Sequence, residues 1–196
     1  MTSGVVIGQD GRPRCPWGAS TPDYAAYHDD EWGRPVRDDV GLFERLTLEA
    51  FQSGLSWLTI LRKREGFRAA FAGFDVERVA AFDEDDRARL LEDAAIVRNR
   101  AKVDATLANA RALAAFRARE GDGAFAELVW SFAPPPRPRP RTLADVPPHT
   151  PESKALAKGL KAEGLVFVGP TTAYALMQAC GLVDDHLAGC HVAPRR

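Results

Sequence analysis

Apolar residues recur at steps of three and four along most of this chain, the spacing that places them on one face of an α-helix. The clearest stripe, within residues 39–51, comprises Val40, Phe43, Leu46, Thr47, Ala50 and Phe51. Helical signals continue over residues 56–68, 76–82, 84–94, 98–119, 125–132, 152–163 and 173–179. No segment alternates polar and apolar residues convincingly, as a half-buried strand would. The sequence therefore predicts an all-α fold, organised as one globular helical domain.

Two segments interrupt this pattern. Residues 133–141 contain five prolines, which remove amide donors and fix φ, so this segment cannot be helical. We expect an exposed extended loop there, and a solvated linker is a better interpretation than a basic arm for DNA. The glycine-rich residues 1–14 are expected to form a poorly ordered leader, which leaves residues 15–196 for the folded domain.

The amino-acid composition says more about where the protein works than about which reaction it catalyses. The 196 residues suffice for a substantial core, and no stretch resembles a signal peptide or a membrane span. Three cysteines without a secretion signal favour a reducing, cytoplasmic location over a disulfide framework. A net charge of −1 does not point to nucleic acid, but a basic face can coexist with acidic surface elsewhere. No long apolar stripe is left over for an interface, so we expect a monomer.

Two cysteine–histidine pairs lie near the two ends of the chain. Cys15 and His28 form the first pair, and His186 and Cys190 form the second with H-x3-C spacing. Two thiolates and two imidazoles are a complete ligand set for a closed, tetrahedral Zn²⁺ site, which would join the two ends. The alternative is that the cysteines are small buried hydrophobic residues and the histidines ordinary polar ones. Cys180 lies in an apolar helical run and fits that alternative better.

A helix, a short connection and a second helix follow one another over residues 152–179. The first helix ends at Gly164, and Gly169 and Pro170 precede the second. Glycine permits close approach of a ligand, and proline suits the first helical position. The free backbone amides at the start of the second helix are therefore a candidate binding site for a phosphate group. A plain helix–helix turn is the alternative interpretation.

Several specific sequence stretches accompany these features. They are Arg14–Gly18, Tyr24–Gly33, Leu48–Trp57, Ile96–Lys102, Trp130–Phe132, Phe167–Thr172 and Met177–His186. Through them the chain resembles the DNA-3-methyladenine glycosylase I family, a branch of the helix-hairpin-helix DNA glycosylases. The resemblance implies a helix-hairpin-helix motif over about residues 152–179. It also implies one structural Zn²⁺ at the two cysteine–histidine pairs.

The resemblance further implies hydrolytic release of 3-methyladenine from alkylated double-stranded DNA, leaving an abasic site without a lyase step. Such an enzyme flips the damaged base into a pocket. Trp17, Tyr27 and Trp57 match the family positions that surround the base, and Glu49 matches the carboxylate that contacts it. Methylation at N3 makes the base a cationic leaving group, so Glu49 is expected to act catalytically by favouring the cation. Stacking of that cation on Tyr and Trp faces contributes about 1–2 kcal/mol.

DNA contacts are expected from two loops. Gly54 and Leu55 match the family segment that faces the gap left by the flipped nucleotide. There Leu55 either inserts into the duplex as an apolar wedge or packs in the core. Gly169, Thr171 and Thr172 are the candidates for contact with backbone phosphates.

Some assignments stay open from sequence. Trp32 and Trp130 are expected to be core aromatics rather than pocket walls. Asp184 either stabilises the sugar cation or, as we favour, caps a turn or orients His186. Two rival functions are a DNA-binding module with an unused pocket and a glycosylase for 7-methylguanine or 3-methylguanine.

Overall fold

α-Helices account for nearly all the regular structure in the computed structural model, which describes residues 4–194. They are α1 (Pro22–Asp30), α2 (Asp39–Gln52), α3 (Trp57–Ala70), α4 (Val76–Ala80), α5 (Glu84–Glu92), α6 (Arg100–Glu120), α7 (Ala124–Trp130), α8 (Pro151–Ala162) and α9 (Pro170–Ala179). Short 3₁₀ turns cover residues 16–19, 72–74 and 143–145. The predicted all-α fold is confirmed. Helix α1 was not predicted, because it mixes aromatic, acidic and small residues without a strong apolar stripe.

Side-chain caps fix where most of these helices begin. Asp75 and Asp83, which belong to acidic clusters in the sequence, accept hydrogen bonds from the first-turn amides of α4 and α5. Ser56 caps α3 in the same way, and Thr150 with Ser153 forms a reciprocal capping box on α8. Such caps satisfy amides that have no partner inside the helix, so they set boundaries from local sequence alone.

Residues 6–14 depart from the predicted poorly ordered leader. Strands β1 (Val6–Ile7) and β2 (Pro13–Arg14) pair antiparallel. The buried Arg14 guanidinium anchors this hairpin, because it donates to Asp10 at 2.7 Å and to Asp29 of α1 at 2.6 Å. These two ion pairs, one inside the hairpin and one to α1, order a segment whose glycine content suggested disorder. The first three residues of the predicted leader lie outside the described part of the chain.

Helix α2 lies at the centre of the packing, in contact with α3, α6, α7 and α9. Its side chains from Leu46 to Phe51 are all buried, so neighbouring elements enclose the second half of this helix on nearly every face. Burial of this kind is the main favourable term in folding. The carboxyl half of α2 is therefore a rigid platform on which a site can be built.

Helix α6 is the longest, with 21 residues, and packs against α4. It buries three polar side chains, Lys102, Thr106 and Asn109, beside its apolar face. Neither α6 nor any other helix within residues 4–194 combines the length and the hydropathy that a bilayer crossing needs.

The proline–arginine segment 133–141 is extended, as predicted, but it is not a solvated linker. Arg137 donates to Asp185 at 2.9 Å and to the Tyr174 hydroxyl at 2.6 Å. Arg139 donates to Asp184 at 2.8 Å. The two guanidinium groups attach the loop to the turn after α9, because their acidic partners lie about 45 residues away in sequence but adjacent in space.

Candidate active site and metal centre

A cavity of about 230 Å³ lies at the carboxyl end of α2, between α1, α3 and α9. Its walls are formed by Trp17, Tyr24, Tyr27, Trp32, Glu49, Gln52, Trp57, Ala175 and Gln178. The four residues that the sequence singled out for a base pocket (Trp17, Tyr27, Glu49 and Trp57) therefore meet in one cavity. They come from four different elements, and only the fold brings them together.

The aromatic walls hold one another in place. The Tyr27 and Trp57 rings lie 5.3 Å apart, and Trp17 meets Tyr24 and Trp32 edge to face at 5.7 and 5.0 Å. The Tyr27 and Trp57 rings are tilted at 43°, and the edge-to-face contacts of Trp17 have a geometry that aromatic pairs favour. A flat ring of bicyclic size therefore finds preformed aromatic faces in this cavity.

Two of these aromatic residues differ from the sequence analysis. Trp32 lies 4.7 Å from the His186 ring, as expected of a core residue near the metal ligands, but it also lines the cavity. Tyr24 was missed, although its spacing of three residues from Tyr27 on α1 places both on one face. Its hydroxyl accepts the amide hydrogen of Leu58 at 3.0 Å, which ties α1 to the start of α3. Trp130 is a core aromatic, as expected, with its indole N–H donated to a backbone carbonyl.

Glu49 is a buried carboxylate without a hydrogen-bonding partner among the described residues. Its side chain lines the cavity, and the residue is 7% exposed. Burial raises the pKa of Glu49 to about 8, and the positive charge of Arg45 offsets this only in part. Without a ligand, Glu49 therefore keeps its proton near pH 7, because the ionised form would lose its water without gaining a partner. A cation placed in the cavity supplies that partner and favours the ionised carboxylate.

Arg45 lowers the pKa of Glu49 in part but forms no hydrogen bond with it; one of its terminal nitrogens is engaged elsewhere, and the other, Nη1, has no hydrogen-bond partner among the described residues. Arg45 donates to Glu31 at 3.1 Å, and Arg64 donates to the same carboxylate at 2.9 Å. Burial raises the pKa of Glu31, but hydrogen bonds from Arg64 and Arg45 outweigh it and lower the pKa overall. Pairing within this cluster leaves Glu49 the unpaired acid of the site. Sequence patterns gave no signal for Arg45 or Arg64.

Cys15, His28, His186 and Cys190 come together in one cluster, with their ligand atoms all within 4.8 Å of one another. Cys190 Sγ lies 3.5 Å from His28 Nε2 and 3.7 Å from His186 Nδ1, and Cys15 Sγ lies 4.0 Å from His186 Nδ1. A tetrahedral ion with Zn–S near 2.3 Å and Zn–N near 2.0 Å separates sulfur and nitrogen by about 3.5 Å. The cluster is therefore able to hold one metal ion.

Hydrogen bonds from outside the cluster orient both rings. His28 Nδ1 lies 2.8 Å from the Asp29 carboxylate, which leaves Nε2 for the metal. His186 Nε2 lies 3.2 Å from the Trp32 carbonyl oxygen, which leaves Nδ1. Such partners fix the tautomer and the direction of a ligating imidazole. Asp29 is in turn held by Arg14 of the hairpin, at 2.6 Å.

The remaining candidates near this cluster do not join it. Asp184 accepts from the Arg139 guanidinium and, at 3.3 Å, from the His186 amide, so it caps the turn rather than orienting the imidazole. It is not among the residues that line the cavity. Cys180 is fully buried in the core, as expected from its apolar surroundings.

The loop between α2 and α3 exposes its apolar tip. Leu55 is 41% exposed, so its packing in the core, one of the two alternatives, is wrong. Gly54 has φ +80°, a conformation that favours glycine, and it turns the chain directly after α2. Lys102 of α6 holds the start of this loop in place, because its ammonium group donates hydrogen bonds to the carbonyl oxygens of Phe51 and Ser53 at 2.8 and 2.6 Å.

The connection between α8 and α9 presents the start of α9 at the surface. Gly169 is the N-cap residue and provides no side chain to cap α9, and a Cβ there would meet no atom within 4 Å. Thr171 is exposed and Thr172 half-buried in the first turn. Phe167, with φ +59°, stands 41% exposed just before them. The amides of this turn are therefore available to a ligand in solution.

Comparison with known proteins identifies the family to which the sequence is related. The model of the methyladenine glycosylase family matches residues 17–193. This chain belongs to the methyladenine glycosylase family. DNA-3-methyladenine glycosylase 1 of Escherichia coli K12 is 47% identical over 183 residues, which cover 92% of this chain and 97% of that protein. The family and the enzyme class predicted from the sequence motifs are thus confirmed.

Solved structures agree with this assignment. A crystal structure of 3-methyladenine DNA glycosylase I is 49% identical, with a TM-score of 0.87, and the match covers 92% of this chain and all of that one. The 3-methyladenine DNA glycosylase I of Staphylococcus aureus, described for its recognition of 3-methyladenine, is 34% identical with a TM-score of 0.86. That match covers 93% of this chain and 97% of the S. aureus chain.

Proposed function

We propose that this protein releases 3-methyladenine hydrolytically from alkylated double-stranded DNA. The observation that carries the proposal is the unpaired, buried Glu49 carboxylate inside an aromatic cavity of about 230 Å³. A cationic purine satisfies both features, because its charge pairs with the carboxylate and its faces stack on Tyr27 and Trp57. Neutral adenine gains only the stacking. The pocket thus favours the methylated base over the undamaged one.

The chemistry asks for little acid catalysis. A base that is already cationic leaves readily, and the transition state places positive charge on the sugar, as in other glycoside hydrolysis. Glu49 is the catalytic residue: it contacts the base, holds it in the flipped position and stabilises positive charge near the glycosidic bond. No lysine is among the described residues that line the cavity, so a Schiff base with the abasic sugar has no nucleophile there. The reaction therefore ends at the abasic site.

Two exposed loops would bind the duplex around this pocket. Leu55 would fill the gap left by the flipped nucleotide as an apolar wedge, with Gly54 allowing the backbone to approach. Helices α8 and α9 would act as a helix-hairpin-helix, with a phosphate held by the amides at Gly169 and by the Thr171 and Thr172 side chains. Backbone amides make this possible in a protein of net charge −1.

The metal we propose is one structural Zn²⁺ held by Cys15, His28, His186 and Cys190. The donor set fits, because two thiolates and two imidazoles suit zinc and complete its tetrahedral shell. When bound, the ion cross-links the N-terminal segment to the turn after α9 and supplies no reactive water. None of the three cysteines, which all lie in the described part of the chain, forms a disulfide, which is consistent with the reducing environment of the cytoplasm, and we propose that the enzyme acts there as a monomer.

Chromatography of free bases released from methylated duplex DNA tests the proposal. We expect 3-methyladenine from the wild-type protein and little from Glu49→Gln, which keeps the side-chain shape but not the charge. Melting curves and zinc content of both proteins control for folding. If folded, zinc-containing wild-type protein released no base, the rival DNA-binding module would replace this proposal. Equal release of 7-methylguanine would instead assign a broader specificity.

A further inference from the structure

Gln178 is a polar residue of the cavity whose side-chain amide has a fixed orientation. It lies on α9 one turn after Ala175, and both residues line the cavity. Its amide nitrogen, Nε2, donates to Asp185 Oδ2 at 2.8 Å. An ionised carboxylate can only accept hydrogen bonds, so the nitrogen of the amide must face Asp185. The other end of the amide, the carbonyl oxygen Oε1, is consequently the group left for a ligand.

Asp185 is held on both of its oxygens. The Tyr174 hydroxyl donates to Oδ2 at 2.5 Å, and Arg137 donates to Oδ1 at 2.9 Å. Arg137 also donates to the Tyr174 hydroxyl at 2.6 Å, which closes the network. The Asp185 side chain is 2% exposed, and the guanidinium balances its buried charge. A carboxylate held in this way cannot turn away to let the Gln178 amide flip.

We propose that Gln178 is a specificity-determining residue that presents a fixed carbonyl acceptor to the exocyclic amino group of the methylated adenine. Asp185, Tyr174 and Arg137 are its positioning residues. The inference rests on the proposed function, since it deepens the recognition of the base in the same cavity. It also assigns a role to the proline–arginine loop, which carries Arg137 to this network.

The chemistry of the alternative base explains the selectivity. Guanine carries a carbonyl oxygen where adenine carries the amino group. In this pocket that oxygen would face the Gln178 oxygen, and two acceptors cannot hydrogen-bond to each other. A site built for one hydrogen-bonding group rejects a ligand that lacks it, because the buried partner is left unpaired. We therefore expect discrimination against 3-methylguanine to depend on the orientation of the Gln178 amide.

The test measures the affinities of free 3-methyladenine and free 3-methylguanine by quenching of tryptophan fluorescence. Gln178→Leu removes the acceptor, so affinity for 3-methyladenine should fall about tenfold while affinity for 3-methylguanine stays unchanged. Asp185→Asn lets the amide turn, because asparagine can donate as well as accept. That variant should bind 3-methylguanine more tightly than the wild type, and its selectivity should fall about tenfold.

Gln52→Leu is the matched control, because it removes the other glutamine of the same cavity. No hydrogen bond to its side chain is found in the described structure, so its amide is free to turn. It should lower the affinity for both bases to a similar degree. Zinc content and melting temperature are measured to check that Asp185→Asn is folded.

Tyr174→Phe is a second variant that loosens the Asp185 carboxylate from a position farther from the metal ligands. This variant should reduce the selectivity for 3-methyladenine, as Asp185→Asn does.

The outcomes separate the two proposals. If wild-type protein binds neither base and releases none from DNA, the proposed function fails and this inference with it. If the wild type prefers 3-methyladenine but Gln178→Leu and Asp185→Asn keep the same ratio of affinities, only the inference fails. A change of ratio in Gln52→Leu equal to that in Gln178→Leu would also overturn it, because a fixed orientation would then be irrelevant.

Discussion

Lys102 and Asn109 lie about two turns apart on α6, and each holds one of the two loops that we assign to DNA contact. Lys102 donates to the Phe51 and Ser53 carbonyl oxygens just before Leu55, at 2.8 and 2.6 Å. Asn109 donates to the Val166 carbonyl oxygen at 3.1 Å and accepts the Val166 amide hydrogen at 2.7 Å. Seven helical residues span about 10 Å, so α6 sets the separation of the two loops.

Replacing Asn109 with leucine should therefore weaken DNA binding more than base binding. The variant leaves the Val166 amide and carbonyl without their partner, which costs about 1–3 kcal/mol of stability and loosens the connection before α9. Affinity for a duplex with an abasic site should fall about tenfold, while affinity for free 3-methyladenine stays within about twofold. Titrations of both ligands on the same preparation measure this. Equal losses for the two ligands would show a general defect instead.

Glu49→Gln should make the ligand-free protein more stable at alkaline pH. Burial raises the pKa of Glu49 from 4.5 to about 8, so between these values the folded protein keeps a proton that the unfolded chain has lost. The contribution of Glu49 to wild-type stability is therefore fully present below pH 4.5, its pKa in the unfolded chain. It is lost as the pH rises through about 8, its pKa in the folded protein. Each unit of such a shift corresponds to about 1.4 kcal/mol.

Melting curves from pH 5 to pH 9 test this, with glutamine as the uncharged isostere. The difference between variant and wild type should grow with pH and level off above about pH 8. Excision of 3-methyladenine by the variant should fall about 100-fold, because the charge that stabilises the cation is gone. A pH-independent difference in stability would show that Glu49 does not titrate in this range.

Cys190→Ser should lose the metal and much of the thermal stability. Serine is a poor zinc ligand, and three ligands bind far more weakly than four. Atomic absorption should find less than one ion for each chain, and the melting temperature should fall to that of chelator-treated wild type. Cys180→Ala is the control, because it also removes a buried thiol but lies outside the ligand cluster. It should keep its zinc, and loss of zinc there would contradict the assigned ligands.

Leu55→Ala should reduce excision from duplex DNA without changing stability. The side chain is exposed, so its truncation costs within about 0.5 kcal/mol, whereas the loss of a wedge leaves the flipped state unsupported. Single-turnover excision should slow about tenfold, with unchanged affinity for free 3-methyladenine. Leu143→Ala is a matched control, since Leu143 is 42% exposed on a 3₁₀ turn at residues 143–145. The two variants slowing excision equally would argue against a wedge.

The sequence by itself determined the family and most of the helices, with α1 as the exception. Helix starts at Asp75, Asp83 and Ser56 follow from caps that act within four residues, and a three- to four-residue apolar period specifies each buried face. The family is carried by short motifs that are contiguous in sequence. Even the four candidate metal ligands could be found from their spacing and chemistry. Local rules suffice wherever the interacting groups are close along the chain.

Only the tertiary structure decided the charge state of Glu49 and the orientation of the Gln178 side chain. Nothing near Glu49 in sequence shows that Arg45 pairs with Glu31 and leaves the carboxylate alone, or that burial raises the pKa of Glu49 to about 8. Composition described residues 133–141 as a linker, but Arg137 meets Asp185, 48 residues later, and so connects to Gln178. Desolvation and hydrogen bonding depend on which groups are adjacent in space. For groups tens of residues apart, only the folded chain sets that adjacency.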